Sequence, residues 1–130
     1  MTLSRTTLLL CPALLASFAF TGCSTVSLDS TGDTAAVYQL NEFSMLLNTT
    51  APRAYAATQK AFKDMDLFET KSNLETFEAE LNARSRKDEN VHVAITEVNS
   101  RQTMLKIRWS TTGDKKNSKA LYELIERNLR

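Results

Sequence analysis

Thr76-Phe77-Glu78-Ala79-Glu80-Leu81-Asn82-Ala83-Arg84-Ser85 alternates apolar and polar side chains along its whole length. Neighbouring residues of a strand point to opposite faces. Phe77, Ala79, Leu81 and Ala83 therefore face a core, and Glu78, Glu80, Asn82 and Arg84 face water. The same period continues downstream. Val91 to Val98 buries Val91, Val93 and Ile95, and Thr103 to Ser110 buries Leu105, Ile107 and Trp109. Three half-buried strands joined by short polar turns make an antiparallel meander. Placing Ile95 opposite Ile107 sets Val93 against Trp109 and leaves Ser100 to Gln102 as the turn. Placing Leu81 opposite Ile95 leaves Arg86 to Asn90 as the other turn. The expected core row is Leu81, Ile95, Ile107. The outer rows are Glu80, Thr96, Lys106, then Asn82, Ala94, Arg108, then Arg84, His92, Ser110.

Upstream, Leu67 to Ser72 reads as a short strand. Before it, Thr49-Thr50-Ala51-Pro52 is a helix start, with Thr as the cap and Pro in the first turn. Tyr55, Thr58, Phe62 and Met65 fall at helical spacing beside Ala54 and Ala61. Ala36 to Leu47 is β-prone, with a bulge expected where the alternation breaks at Asn41 and Glu42. Downstream, Thr111-Thr112-Gly113-Asp114 turns the chain into a second helix, capped by Asn117 or Ser118. Leu121, Leu124, Ile125 and Leu129 form its apolar stripe. The order β-α-β-β-β-β-α predicts an α+β fold: a small antiparallel-dominated sheet with two helices packed on one face.

The other end of the chain has a different character. Arg5 is the only charge in a short leader, and Leu8 to Phe20 is apolar apart from Pro12 and Ser17. The run is shorter than the roughly 20 residues a spanning helix needs, and small residues follow it, as in a secretory signal peptide. Phe20-Thr21-Gly22-Cys23 resembles a bacterial lipobox, with Phe20 where that motif usually has Leu. The resemblance implies cleavage between Gly22 and Cys23 and a diacylglyceryl thioether, with palmitate-type chains, on Cys23. Cys11 lies in the leader, so Cys23 is the one cysteine left after cleavage and no internal disulfide can form. The expected organisation is a signal peptide over 1–22, a lipidated Cys and flexible tether over 23–34, and a single domain over 35–130. An eleven-residue tether, Ser24 to Thr34, averages roughly 18 Å end to end. Ser24, rather than Asp, after the Cys is compatible with outer-membrane sorting, facing the periplasm, if the source is Gram-negative.

The C-terminal pattern Leu105-Lys106-Ile107-Arg108-Trp109-Ser110, then Gly113-Asp114, Ser118, Leu121, Ile125 and Leu129, resembles a family of small bacterial lipoproteins classed as a domain of unknown function. The family pattern has Gly where this chain has Ser110. The Ala-rich helix from Ala54 to Ala61 also fits. This resemblance implies fold and location and no activity.

Composition narrows the function. The chain has 16 basic and 15 acidic residues, and loss of Arg5 with the leader leaves 15 of each. Nucleic-acid binding, which needs a basic face, is not expected. One His and scattered carboxylates give no metal-ligand spacing, and no cofactor is expected. His92 as a general base, with Ser110 and Asp114, would make a hydrolase, but no nucleophile elbow or oxyanion hole accompanies them. Gly113, Asp114, Val98 and Met104 are the candidate contacts for a protein partner. The first reading is thus a membrane-anchored, non-enzymatic binding or structural module meeting an envelope protein. A periplasmic hydrolase and a carrier of small ligands or lipids are the alternatives.

Overall fold

A computed structural model of the chain describes residues 24–27 and 35–130. The leader, Gly22 and Cys23 lie outside the described residues, as does 28–34. The elements in chain order are β1 (Ser24–Ser27), β2 (Ala35–Gln39), β3 (Glu42–Leu47), α1 (Ala51–Asp64), β4 (Phe68–Leu74), β5 (Glu78–Arg84), β6 (Asn90–Asn99), β7 (Gln102–Trp109) and α2 (Lys115–Leu129). The strands form one sheet in the order β1-β2-β3-β7-β6-β5-β4, and every neighbouring pair is antiparallel. α1 packs over β4, β5 and β6, and α2 packs over β3 and β7. This is the α+β architecture the alternation predicts.

Several local expectations need correction. The stretch 36–47 is a hairpin rather than one bulged strand, because Leu40 and Asn41 both adopt positive φ (51° and 65°) and Gln39 pairs with Glu42. Two left-handed residues in succession give the tight reversal whose twist suits a two-residue hairpin. Ser24–Ser27, expected within the tether, is strand β1 on the edge beside β2. An edge strand needs only backbone partners, so it shows no side-chain period. The register of the meander differs by two residues. Ile95 faces Leu105, Val93 faces Ile107, Val91 faces Trp109, and Leu81 faces Val93. A two-residue shift leaves every side chain on its expected face, so the burial pattern survives it. Finally, Phe77 is not core. β5 begins at Glu78, and Phe77 lies in the turn before it, 63% exposed.

The core is the helix-facing half of each strand. Phe43, Leu81, Val93, Ile95, Leu105 and Ile107 are fully enclosed, and Leu121, Tyr122 and Ile125 of α2 close over them. The Phe43 and Tyr122 rings meet at 5.4 Å between centroids, tilted by 41°, an arrangement aromatic pairs favour. α1 buries Ala51, Ala54, Ala57, Thr58, Ala61 and Phe62. Its small residues let the helix lie close to the sheet. The Thr58 hydroxyl donates to the Ala54 carbonyl at 2.8 Å, so it is buried with its bond made.

The helix starts use carboxylates. Thr50 occupies the cap position of α1, but its side chain makes no capping bond. Instead Glu97, from β6, accepts from the Ala51 N–H at 2.8 Å. A carboxylate at a helix N-terminus meets both an orphan donor and the positive end of the dipole. For α2 the cap is Asp114, not Asn117 or Ser118. Its carboxylate accepts from the Asn117 N–H at 2.9 Å and from the Asn117 side-chain amide at 2.8 Å.

Candidate functional site

His92 sits on the bare face of the sheet, between Asn82 of β5 and Arg108 of β7. The expected row of Arg84, His92 and Ser110 does not form. His92 Nδ1 lies 2.8 Å from Asn82 Oδ1. An amide oxygen only accepts, so Nδ1 is the donor in this contact. Asn90, Arg108, Ser110 and Thr111 line a shallow recess around the ring. Both oxygens of Asp114 are held by Asn117 at the start of α2. The set of Ser110, His92 and Asp114 is therefore not assembled: the imidazole is oriented by an amide, and the carboxylate is committed to a helix cap.

The four candidate partner contacts separate into three places. Gly113 and Asp114 lie where β7 turns into α2. Gly113 has φ of +77°, and a Cβ there would lie 2.6 Å from Asn41 Cβ, 2.8 Å from Asn41 Cα and against the Tyr38 hydroxyl. This glycine lets the β7–α2 turn close onto the β2–β3 hairpin. Burial, and then the nearby Asp114 carboxylate, hold the Tyr38 hydroxyl above its ordinary pKa. Met104 lies on the bare face between Leu46 and Thr96. Its partner on β6 is Thr96, and Val98 falls in the irregularity between Glu97 and Asn99. Val98, 58% exposed, belongs instead with Phe77 and Leu74, since the Glu97 N–H donates to the Phe77 carbonyl at 2.8 Å. Leu74, Phe77 and Val98 put three exposed apolar side chains at one end of the sheet.

The opposite end holds a cleft that sequence reasoning missed. It has a volume of about 280 Å³, with Met65, Leu67 and Trp109 as its apolar part and Ser85, Arg86, Lys87 and Glu89 around them. Five of its lining residues are bonded to one another. Glu89 accepts from Trp109 Nε1 at 3.0 Å and from the Ser85 hydroxyl at 3.2 Å, and Arg86 pairs with Asp66 at 3.2 Å. The lining comes from the α1–β4 link, the β5–β6 turn, β7 and α2, so no local motif could have announced it. The bare face carries an ion ladder in which Glu42 meets Lys106 at 3.5 Å and Arg108 at 3.4 Å. Among the described residues, no three His, Cys, Asp or Glu side chains are grouped to hold a metal ion, and no helix is long and apolar enough to cross a membrane.

The match to known families extends over almost the whole chain. Residues 5–128 fit the family model described as Protein of unknown function (DUF3568). The chain belongs to this family. The DUF3568 match begins at Arg5, crosses Cys23 and ends within α2. No curated protein matches the chain.

Proposed function

We propose that this DUF3568 protein is a bacterial envelope lipoprotein, anchored through Cys23, whose domain binds another envelope component and performs no catalysis. The observation that carries the reading is Phe20-Thr21-Gly22-Cys23 at the end of a short apolar leader, with no cysteine after it. An unpaired cysteine in an oxidising compartment needs a chemical fate, and thioether formation supplies one. A single acyl chain holds a protein only marginally, whereas two or three chains keep it on the membrane. The family match running through the leader supports treating the anchor and the domain as one design. With Ser24 after the cysteine, the proposed location is the outer membrane, facing the periplasm, in a Gram-negative source.

Binding rather than catalysis is favoured by how the polar groups are used. His92 is tied to an amide, Asp114 to a helix start, and Glu89 to Trp109 and Ser85. A protein partner would cover Leu74, Phe77 and Val98, which stand at the end of the sheet away from the start of β1. The test is crosslinking in native membranes, then affinity purification and mass spectrometry. One envelope protein should be recovered reproducibly, and should be lost with Cys23→Ala and with a folded Phe77→Asp, Val98→Asp double variant. Recovery of nothing specific from a correctly acylated protein would contradict the binding role.

A further inference from the structure

We propose that the end of the sheet carrying the β2–β3 turn rests on the bilayer, with Leu40 inserted at the lipid interface and Lys115 and Lys116 against anionic headgroups. This rests on acylation of Cys23 as proposed above.

The strand pairing of β1 is the first reason. Ser24 pairs with Tyr38. Ser24, the residue that follows Cys23 in the sequence, is thus paired two residues from Leu40. An anchor entering the sheet so directly restricts how the domain can stand. The end that bears Ser24 must face the membrane.

Leu40 is the second reason. It sits at the hairpin tip with φ of 51° and is 82% exposed. Asn, Asp and Gly are the residues that suit such turns. A leucine there accepts left-handed backbone and full contact with water, and the fold gains nothing from its side chain. A lipid interface would take up that apolar surface.

The third reason is charge. Gly113 closes the β7–α2 turn onto Asn41, which brings the start of α2 to the same end as Leu40. Lys115 and Lys116 are exposed there. The nearby acids are engaged within the protein, Glu42 by Lys106 and Arg108 and Asp114 by Asn117. The adjacent β5–β6 turn also pairs its charges, Arg84 with Asp88 and Arg86 with Asp66. Lysines near an anionic surface add attraction that falls off within a Debye length.

The lipidated protein, purified from membranes, offers a direct test, because acylation blocks Cys23 and leaves an introduced cysteine as the one free thiol. Leu40→Cys and Thr76→Cys, the latter in the β4–β5 turn at the other end, would each carry an environment-sensitive fluorophore. The vesicles would contain phosphatidylethanolamine and phosphatidylglycerol with a brominated fraction. The expected result is blue-shifted emission and bromine quenching at position 40, water-like emission at position 76, and a several-fold loss of the quenching at 40 with Lys115→Glu, Lys116→Glu. Water-like emission at position 40 of acylated protein would overturn the orientation while leaving the anchor intact. Shielding without bromine quenching would also overturn it, by showing that a second copy of the chain covers the turn. Mass spectrometry of the same sample separates these outcomes from failure of the anchor: an unmodified Cys23 overturns both readings.

Discussion

Phe43, Ile107, Val93 and Leu81 form a row on the helix-covered face of the sheet; one residue along, Ser44, Lys106, Ala94 and Glu80 form the matching row on the bare face. The first row is wholly enclosed, and in the second Lys106 and Glu80 are exposed while Ser44 and Ala94 are half-buried. The same strands thus do two kinds of work. The covered row supplies the driving force for folding through apolar burial. The bare row keeps the sheet solvated, and its ion pairs lie where water and salt weaken them. The difference teaches that the residues with the most suggestive chemistry, His92 and Arg108, occupy the face that contributes least to the fold.

The strongest challenge to this contrast is Phe43→Ala. It removes the ring that meets Tyr122 and should cost about 3–5 kcal/mol in urea denaturation. A cost below about 1 kcal/mol would mean the two faces are not as different as their burial.

Gly113→Ala probes the junction between the sheet and α2. Its φ of +77° and its closeness to Asn41 predict a loss of about 2 kcal/mol by thermal denaturation. An unchanged melting temperature would remove this glycine from the account.

The covered face should also reveal itself in alkali. Burial, with Glu126 adding to it, pushes the Tyr122 hydroxyl up to about 12. The folded protein then holds this proton to higher pH than the unfolded chain, whose tyrosine titrates near pH 10. The resulting stability is present below about pH 10 and is lost as pH rises to about 12, a change on the order of 2 kcal/mol. Tyr122→Phe should flatten that part of the stability–pH curve; an identical curve would assign the loss to other groups.

His92→Ala sharpens the contrast from the other side. Its bond to Asn82 is part-buried on the bare face, so the change should cost no more than about 1 kcal/mol, with partner crosslinking unaltered. A large loss of either would give the bare face a role beyond solvation.

The meander was legible because strand alternation is a local signal: Ala79, Leu81 and Ala83, then Val91, Val93 and Ile95, then Leu105, Ile107 and Trp109, all face the core as their spacing implies. Register was less legible, because a two-residue shift moves no side chain to the other face. Phe77 continues the alternation past the end of β5, so period alone carries the strand too far. The β2–β3 hairpin stayed hidden because Leu40 is not a turn residue by type. Tyr122 was missed because the helix stripe can be drawn through Leu121 and Ile125 without it, yet α2 turns its ring against Phe43. Of the candidate site, Gly113 and Asp114 were visible as a turn. The Trp109 cleft needed segments far apart in sequence, and the grouping of Val98 with Phe77 needed the irregularity in β6.

The anchor is the claim on which the functional reading depends most. Its direct measurement is mass spectrometry of the N-terminal peptide of the protein extracted from membranes of its source. The account predicts a mature chain beginning at Cys23 with a diacylglyceryl thioether on the sulfur. A free thiol at Cys23, or a chain that keeps its leader, would contradict it.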